Sequence, residues 1–248
     1  MHQPGTFCWI ELATSDAPAA RDFYTSLFDW TVNDVPMGEH GTYSLLQKGG
    51  RDAAALYQFG PEQQGVPPNW TSYVAVADAD TTAAEATQLG AKICAGPFDV
   101  FDLGRMAVIT DPQGATFAIW QAKNHAGVSV RDEANTLCWN ELHVRDREVA
   151  KTFYATLFNW RLKETSDYVE FHLGEDAVGG MLPSPAPPEV PSYWLPYFSV
   201  EDCDAAVAKA SSLGARTYHP PTDIPNVGRF AVLADPRGAA FAVVKLTF

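Results

Sequence analysis

Residues 8–30 read CWIELATSDAPAARDFYTSLFDW, and residues 138–160 read CWNELHVRDREVAKTFYATLFNW. The two stretches align without a gap and share 11 of 23 positions. Within each, the hydrophobic period changes once. Residues 7–14 alternate, with Trp9 and Glu11 on one side and Cys8, Ile10 and Leu12 on the other, which is the period of a strand. Asp16 then offers a helix N-cap, and Pro18 falls in the first turn, where its missing N–H costs nothing. Ala20, Phe23, Tyr24, Leu27 and Phe28 follow at i, i+3, i+4, i+7 and i+8, a one-sided helix. Asp146, Ala150, Phe153, Tyr154, Leu157 and Phe158 repeat the pattern.

A second block repeats downstream. Residues 70–121 match residues 194–245 at 22 of 52 positions. Each of these copies again opens with a strand, a capping aspartate (Asp78, Asp202) and a helix ending in Leu-Gly. Each closes with a tight Asp-Pro-x-Gly turn, at 111–114 and 235–238, joining the last two strands. The order β-α-β-β-β is thus written four times, twice in each half of a tandem duplication, in an α+β chain. The period of about 120 residues is too long for a solenoid. Residues 1–123 are expected to form one domain and 137–248 a second. Residues 124–136, polar and without periodicity, read as a linker.

The bulk numbers narrow the partners. Of 248 residues, 46% are hydrophobic and 19% charged, as in a globular protein with ample core. Thirty acidic against seventeen basic residues give a net charge of −13, which repels nucleic-acid phosphates and anionic lipid. No apolar run approaches the length of a membrane span, and the N-terminus lacks the pattern of a signal peptide, so a cytoplasmic location is expected. The four cysteines show no C-x2-C spacing, and Cys8 and Cys138 lie inside apolar strands. No G-x-S-x-G elbow, Walker loop or G-x-G-x-x-G is present.

The pattern D-x-x-x-A-x-x-F-Y-x-x-L-F-x-W, then L-G-A, then D-P-x-G before a closing strand resembles the vicinal oxygen chelate superfamily. That group includes glyoxalase I, extradiol dioxygenases and the bleomycin resistance proteins. The resemblance spans nearly the whole chain and occurs twice. It implies two glyoxalase-like domains whose curled sheets form ligand-holding cups. It also implies metal-ligand positions. A His or Gln is expected seven residues before each capping Asp, and a Glu four residues after the glycine of D-P-x-G. Those places hold Trp9, Thr71, Trp139, Leu195, Ala118 and Ala242. None offers a strong lone pair to a divalent ion, so no metal and no other cofactor is expected.

What remains suggests a small-molecule site. Trp9 and Glu11, like Trp139 and Glu141, would face the cup, a floor suited to a flat aromatic or drug-like ligand. Alternatively, Trp9 fills the cup itself, and Glu11 pairs with Arg105 or sits in the interface between the copies. Tyr73 and Tyr197 share a face with the ligand positions, and Trp70 and Trp194 are expected near the rim. Arg105 and Arg229 could meet an anionic ligand, Glu11 or Glu141, or serve structure alone. Only the second copy has His143 and His172. With Glu141 they form either a displaced metal site or an acid–base group. Glu11, Glu141 and His143 are the catalytic candidates should the protein be a glyoxalase-like or dioxygenase-like enzyme rather than a metal-free binding protein. Either a monomer or a homodimer fits the duplication.

Overall fold

The computed structural model describes residues 2–38, 41–63 and 65–247. The first repeat contributes β1 (Phe7–Thr14), α1 (Ala17–Phe28), β2 (Thr31–Pro36), β3 (Thr42–Lys48), β4 (Arg51–Gln58), β5 (Asn69–Ala75), α2 (Ala79–Gln88), β6 (Lys92–Val100), β7 (Gly104–Thr110) and β8 (Thr116–Ala122). The second contributes β9 (Leu137–Val144), α3 (Arg147–Phe158), β10 (Arg161–Glu164), β11 (Val169–Leu173), β12 (Asp176–Pro183), β13 (Tyr193–Ser199), α4 (Cys203–Ser212), β14 (Arg216–Ile224), β15 (Gly228–Ala234) and β16 (Ala240–Leu246). The fourfold βαβββ order read from the sequence is therefore the order of the chain. No helix among the described residues is long and apolar enough to cross a membrane.

Hydrogen bonding orders the strands as β2-β3-β4-β1-β5-β8-β7-β6 and β10-β11-β12-β9-β13-β16-β15-β14, one eight-stranded sheet per repeat. Within each module the last three strands form an antiparallel meander, and the first strand lies parallel to the last. Glu11 sits opposite Ala55, Tyr73 opposite Ala118, Glu141 opposite Gly180 and Tyr197 opposite Ala242.

The helices begin where the capping residues predict. The carboxylates of Asp16, Asp78, Asp146 and Asp202 accept backbone N–H groups of the first turns. Asp29 and Asn159 end α1 and α3 in the left-handed conformation that short polar side chains tolerate. The stripes Ala20, Phe23, Tyr24, Leu27, Phe28 and Ala150, Phe153, Tyr154, Leu157, Phe158 are buried as expected.

The chain packs as two compact units, and each draws on both repeats. One comprises residues up to Trp9 with Thr71–Gly127 and Trp139–Leu195. Its core gathers Val74, Ile109, Phe117 and Ile119 of the first repeat with Leu142, Phe153, Tyr154 and Phe171 of the second. The other comprises Ile10–Trp70, Val128–Cys138 and Pro196–Phe248. Its core combines Ile10, Phe23, Tyr24 and Leu56 with Phe198, Leu233, Phe241 and Val243. The expected linker, 124–136, has neither helix nor strand, yet it is packed. Val130 joins the second core, and the carbonyl of Asn135 accepts the indole N–H of Trp30 at 2.8 Å.

One relay explains three of the repeated motifs together. Trp70 Nε1 donates to the hydroxyl of Tyr24 at 3.0 Å, and that hydroxyl donates to Asp235 Oδ2 at 3.1 Å. Asp235 Oδ1 accepts the backbone N–H groups of Arg237 and Ala239, shaping the Asp-Pro-x-Gly turn. Trp194, Tyr154 and Asp111 repeat the relay at 3.0 and 3.0 Å. Trp70 and Trp194, expected at a ligand rim, are instead core residues on the helix side of their sheets. A buried indole N–H needs an acceptor, and a helix tyrosine supplies it.

Candidate functional site

Apart from Trp70, Trp194 and the two arginines, the strand side chains expected to face a ligand stand on the sheet faces opposite the helices. Within the first unit, Leu142 and Val144 of β9 enter the core, which turns Trp139, Glu141 and His143 to the other face. The direct pairing of Glu141 with Gly180, and of Gly180 with Glu170, places Glu170 on that same face. There the ring of Tyr168 lies over Gly180. A Cβ at that position would fall 2.0 Å from the Tyr168 hydroxyl oxygen and 2.4 Å from the ring carbon that bears it. Any residue larger than glycine here would have to displace the Tyr168 ring.

Tyr168 links the face together. Its oxygen accepts the indole N–H of Trp139 at 2.8 Å, and its hydroxyl donates to the carboxylate of Glu141. Burial, then the nearby charge of Glu141, pushes the Tyr168 phenol well above the ordinary tyrosine range. Glu141 and His143 are both buried, with His143 Nε2 3.1 Å from Glu141 Oε1. That approach lacks the alignment of a hydrogen bond, and neither ring nitrogen of His143 has a hydrogen-bond partner among the described residues. The imidazole lies flat on Tyr193, with ring centroids 4.7 Å apart and planes 6° from parallel. Burial raises the Tyr193 phenol as well.

His172 belongs to a separate pair. Its Nε2 is 2.9 Å from Glu170 Oε2, and Lys163 Nζ donates to the same carboxylate at 3.1 Å. These contacts hold the Glu170 carboxyl below its usual range, His172 contributing most. No group of three or more His, Cys, Asp or Glu among the described residues is placed to hold a metal ion. The displaced metal site sketched from Glu141, His143 and His172 is therefore not assembled. Glu141 and His143 form one couple, Glu170 and His172 another.

The first repeat places its equivalents differently. In the first unit Trp9 is buried, and its ring meets the ring of His125 edge-on at 4.7 Å. Trp120 donates its indole N–H to the carbonyl of His125 at 2.9 Å and lies 6.5 Å from Tyr73. In the second unit Glu11 accepts a 2.7 Å hydrogen bond from Tyr43, whose ring stacks near Tyr57. Tyr197 neighbours Phe230, which stacks on His219. The positions implied for metal ligands hold Trp9, Thr71, Ala118, Trp139, Leu195 and Ala242, and Ala118, Leu195 and Ala242 are fully enclosed by neighbouring side chains. A metal does not fit that set, because no side chain in it supplies a carboxylate or an imidazole.

Arg105 and Arg229 turn away from both glutamates. Arg105 grips Asp80 through two hydrogen bonds of 2.6 and 2.8 Å and also reaches Asp99. Arg229 does the same with Asp204 and Asp223. They pin α2 to β6 and α4 to β14 through an aspartate that is the second residue of each helix. The buried thiols of Cys8 and Cys138 are each pushed up to about 12, which leaves them inert near neutrality.

Reading the sequence missed Tyr43, Tyr168, Tyr193 and His125. A signal existed for the first two. Tyr43 lies near the start of β3 and Tyr168 just before β11, 125 residues apart, as Glu11 and Glu141 repeat in the first strand.

Comparison with known proteins agrees with this architecture. The family model described as Glyoxalase/Bleomycin resistance protein/Dioxygenase superfamily matches residues 6–119 and again 125–243. The chain is 40% identical, over 98% of its length and 96% of the relative's, to "Putative glyoxylase CFP32" of Mycobacterium tuberculosis. It is 36% identical, over 98% of its length and 94% of the relative's, to the anthracycline biosynthesis protein DnrV of Streptomyces peucetius. Among solved structures, the Mn(II)-bound glyoxalase from Novosphingobium aromaticivorans superposes with a TM-score of 0.66 at 13% identity, covering 99% of this chain and 83% of that one. At that identity the likeness is one of fold.

Proposed function

The chain belongs to the Glyoxalase/Bleomycin resistance protein/Dioxygenase superfamily, and from that premise we propose that it binds a flat aromatic small molecule over its Trp-x-Glu strands without a metal. The observation that carries this reading is the substitution at the six positions where the family resemblance implies ligands. Two are indoles and four are side chains unable to grip a divalent ion. Two residues along the strand from each indole comes a carboxylate held by a tyrosine, Glu11 with Tyr43 and Glu141 with Tyr168. Apolar rings flanked by a few fixed polar groups are what recognise an aromatic ligand. A relative's role in anthracycline biosynthesis supports a polycyclic aromatic as the ligand class. On this reading the protein works in the cytoplasm with a small molecule as its partner.

The test is a titration of the purified chain with an anthracycline probe, followed by tryptophan fluorescence. Saturable quenching that weakens in Trp9→Ala and Trp139→Ala, with folding retained, is the expected result. No saturable binding overturns the reading.

A second reading, an enzyme of the glyoxalase or dioxygenase type, is favoured by the buried Glu141–His143 couple. Elemental analysis after dialysis against Zn, Ni, Mn and Fe, with glyoxalase and dioxygenase assays alongside, separates the two. About one metal per chain with turnover would support the enzyme.

A further inference from the structure

His143 is a feature of the ligand face that the first repeat does not copy, since Ala13 holds the equivalent position. It is 5% exposed, and neither of its nitrogens has a hydrogen-bond partner among the described residues. Buried imidazoles ordinarily have both nitrogens satisfied, and one left bare calls for a donor or acceptor from a ligand. The groups around it come from three strands. Glu141 on β9 lies 3.1 Å from Nε2, and Tyr193 at the start of β13 stacks on the ring. Tyr168, just before β11, occupies Glu141 from the other side. Glu170 and His172 on β11 bond each other, and the guanidinium of Arg145 is spent on the carbonyls of Ala186, Pro187 and Val190. Glu141 is thus the anion nearest the imidazole. Partly buried Trp139 and Glu170 border the couple on the same face.

Resting on the aromatic-ligand reading above, we propose that His143, charge-balanced by Glu141, takes the proton of an acidic ligand hydroxyl. The second repeat then binds hydroxylated aromatics as their phenolates. The ligand O–H bond breaks with both electrons remaining on oxygen, and an N–H bond forms on the imidazole. The resulting imidazolium faces the Glu141 carboxylate, and the phenolate faces the imidazolium. No electrons leave or enter, and the proton returns when the ligand departs. Tyr168 and Tyr193, whose phenols burial keeps protonated, remain neutral donors beside the new anion. The first repeat, with Ala13 in place of the histidine, would bind without ionising.

The experiment uses the full chain with 1,2-dihydroxyanthraquinone, whose visible band moves to longer wavelength on ionisation, and with its dimethyl ether. At a pH where the free dihydroxy probe is neutral, the wild type should give the phenolate band on saturation. His143→Gln and His143→Ala should bind the probe with at least about tenfold less phenolate, one pK unit of lost stabilisation. Glu141→Gln should also weaken the band, and the ether should bind all variants alike. Circular dichroism of His143→Gln confirms folding. Binding of the neutral probe without the band, or a band that persists in folded His143→Gln, overturns this proposal and leaves the binding reading standing. Failure of both probes to bind the wild type overturns the binding reading and this proposal with it.

Discussion

Tyr43 donates a 2.7 Å hydrogen bond to Oε2 of Glu11, joining the third strand of the first repeat to its opening strand. Tyr168 and Glu141 make the same link in the second repeat. This contact accounts for the glutamate repeated in the opening strands: a carboxylate on a mostly buried strand is tolerated because a tyrosine is brought to it. Tyr43→Phe should destabilise the chain by about 1–2 kcal/mol, the net loss of a hydrogen bond to a charged acceptor. Urea unfolding monitored by circular dichroism checks it. No change would show that solvent already satisfies the carboxylate.

The first five residues of the repeated stretch, CWIEL and CWNEL, differ at one position, Ile10 against Asn140. Asn140 Oδ1 accepts the hydroxyl of Ser72 at 2.6 Å, and both residues are buried. The repeat equivalent of Ser72 is Pro196, which has no hydroxyl. Asn140→Ile should therefore cost about 1–3 kcal/mol by stranding the Ser72 hydroxyl. The double variant Asn140→Ile with Ser72→Ala should recover much of that loss, which a double-mutant cycle measures.

The relay through Tyr24 carries a larger penalty. Tyr24→Phe removes the acceptor of Trp70 and the donor to Asp235 at once, and about 2–4 kcal/mol should be lost. Burial holds the Asp235 carboxyl above its ordinary value of 3.8. Because its folded pKa is raised, this group favours folding when protonated, below 3.8. That contribution falls as pH rises through the raised value. The stability of the wild type relative to Asp235→Asn should decline over that interval and then level off. A difference that grows with pH would contradict this assignment.

Glu170 runs the other way. His172 and Lys163 hold its carboxyl below the ordinary 4.5, so its contribution is complete above 4.5 and fades as pH falls through the lowered value. His172→Ala should move the Glu170 titration back up toward 4.5, read from its carboxyl resonance by NMR.

Gly180→Ala should push the Tyr168 ring off the sheet, since a Cβ there lies 2.0 Å from its hydroxyl oxygen. A cost of about 1–3 kcal/mol is expected from the overpacking. The Trp139 emission should shift as its indole loses the 2.8 Å contact to Tyr168. Arg105→Ala, by contrast, should leave ligand affinity unchanged, because its partners are Asp80 and Asp99.

The sequence by itself determined the four modules, their caps and the alternation of faces along most of the strands. Those properties follow from local periods of 2 and 3.6 residues and from short-range capping, which neighbouring residues decide among themselves. Duplication made the pattern legible twice over, and it exposed the missing metal ligands as simple substitutions at fixed offsets. Only the tertiary structure decided which side chains meet. Trp70 lies against Tyr24, 46 residues away, and Tyr24 against Asp235, 211 residues away. Arg105 chose Asp80 over Glu11, and Tyr168 rather than an arginine reached Glu141. Such pairings depend on where the strands stand side by side and on which buried donor lacks an acceptor. That competition is settled across the fold, not along the chain.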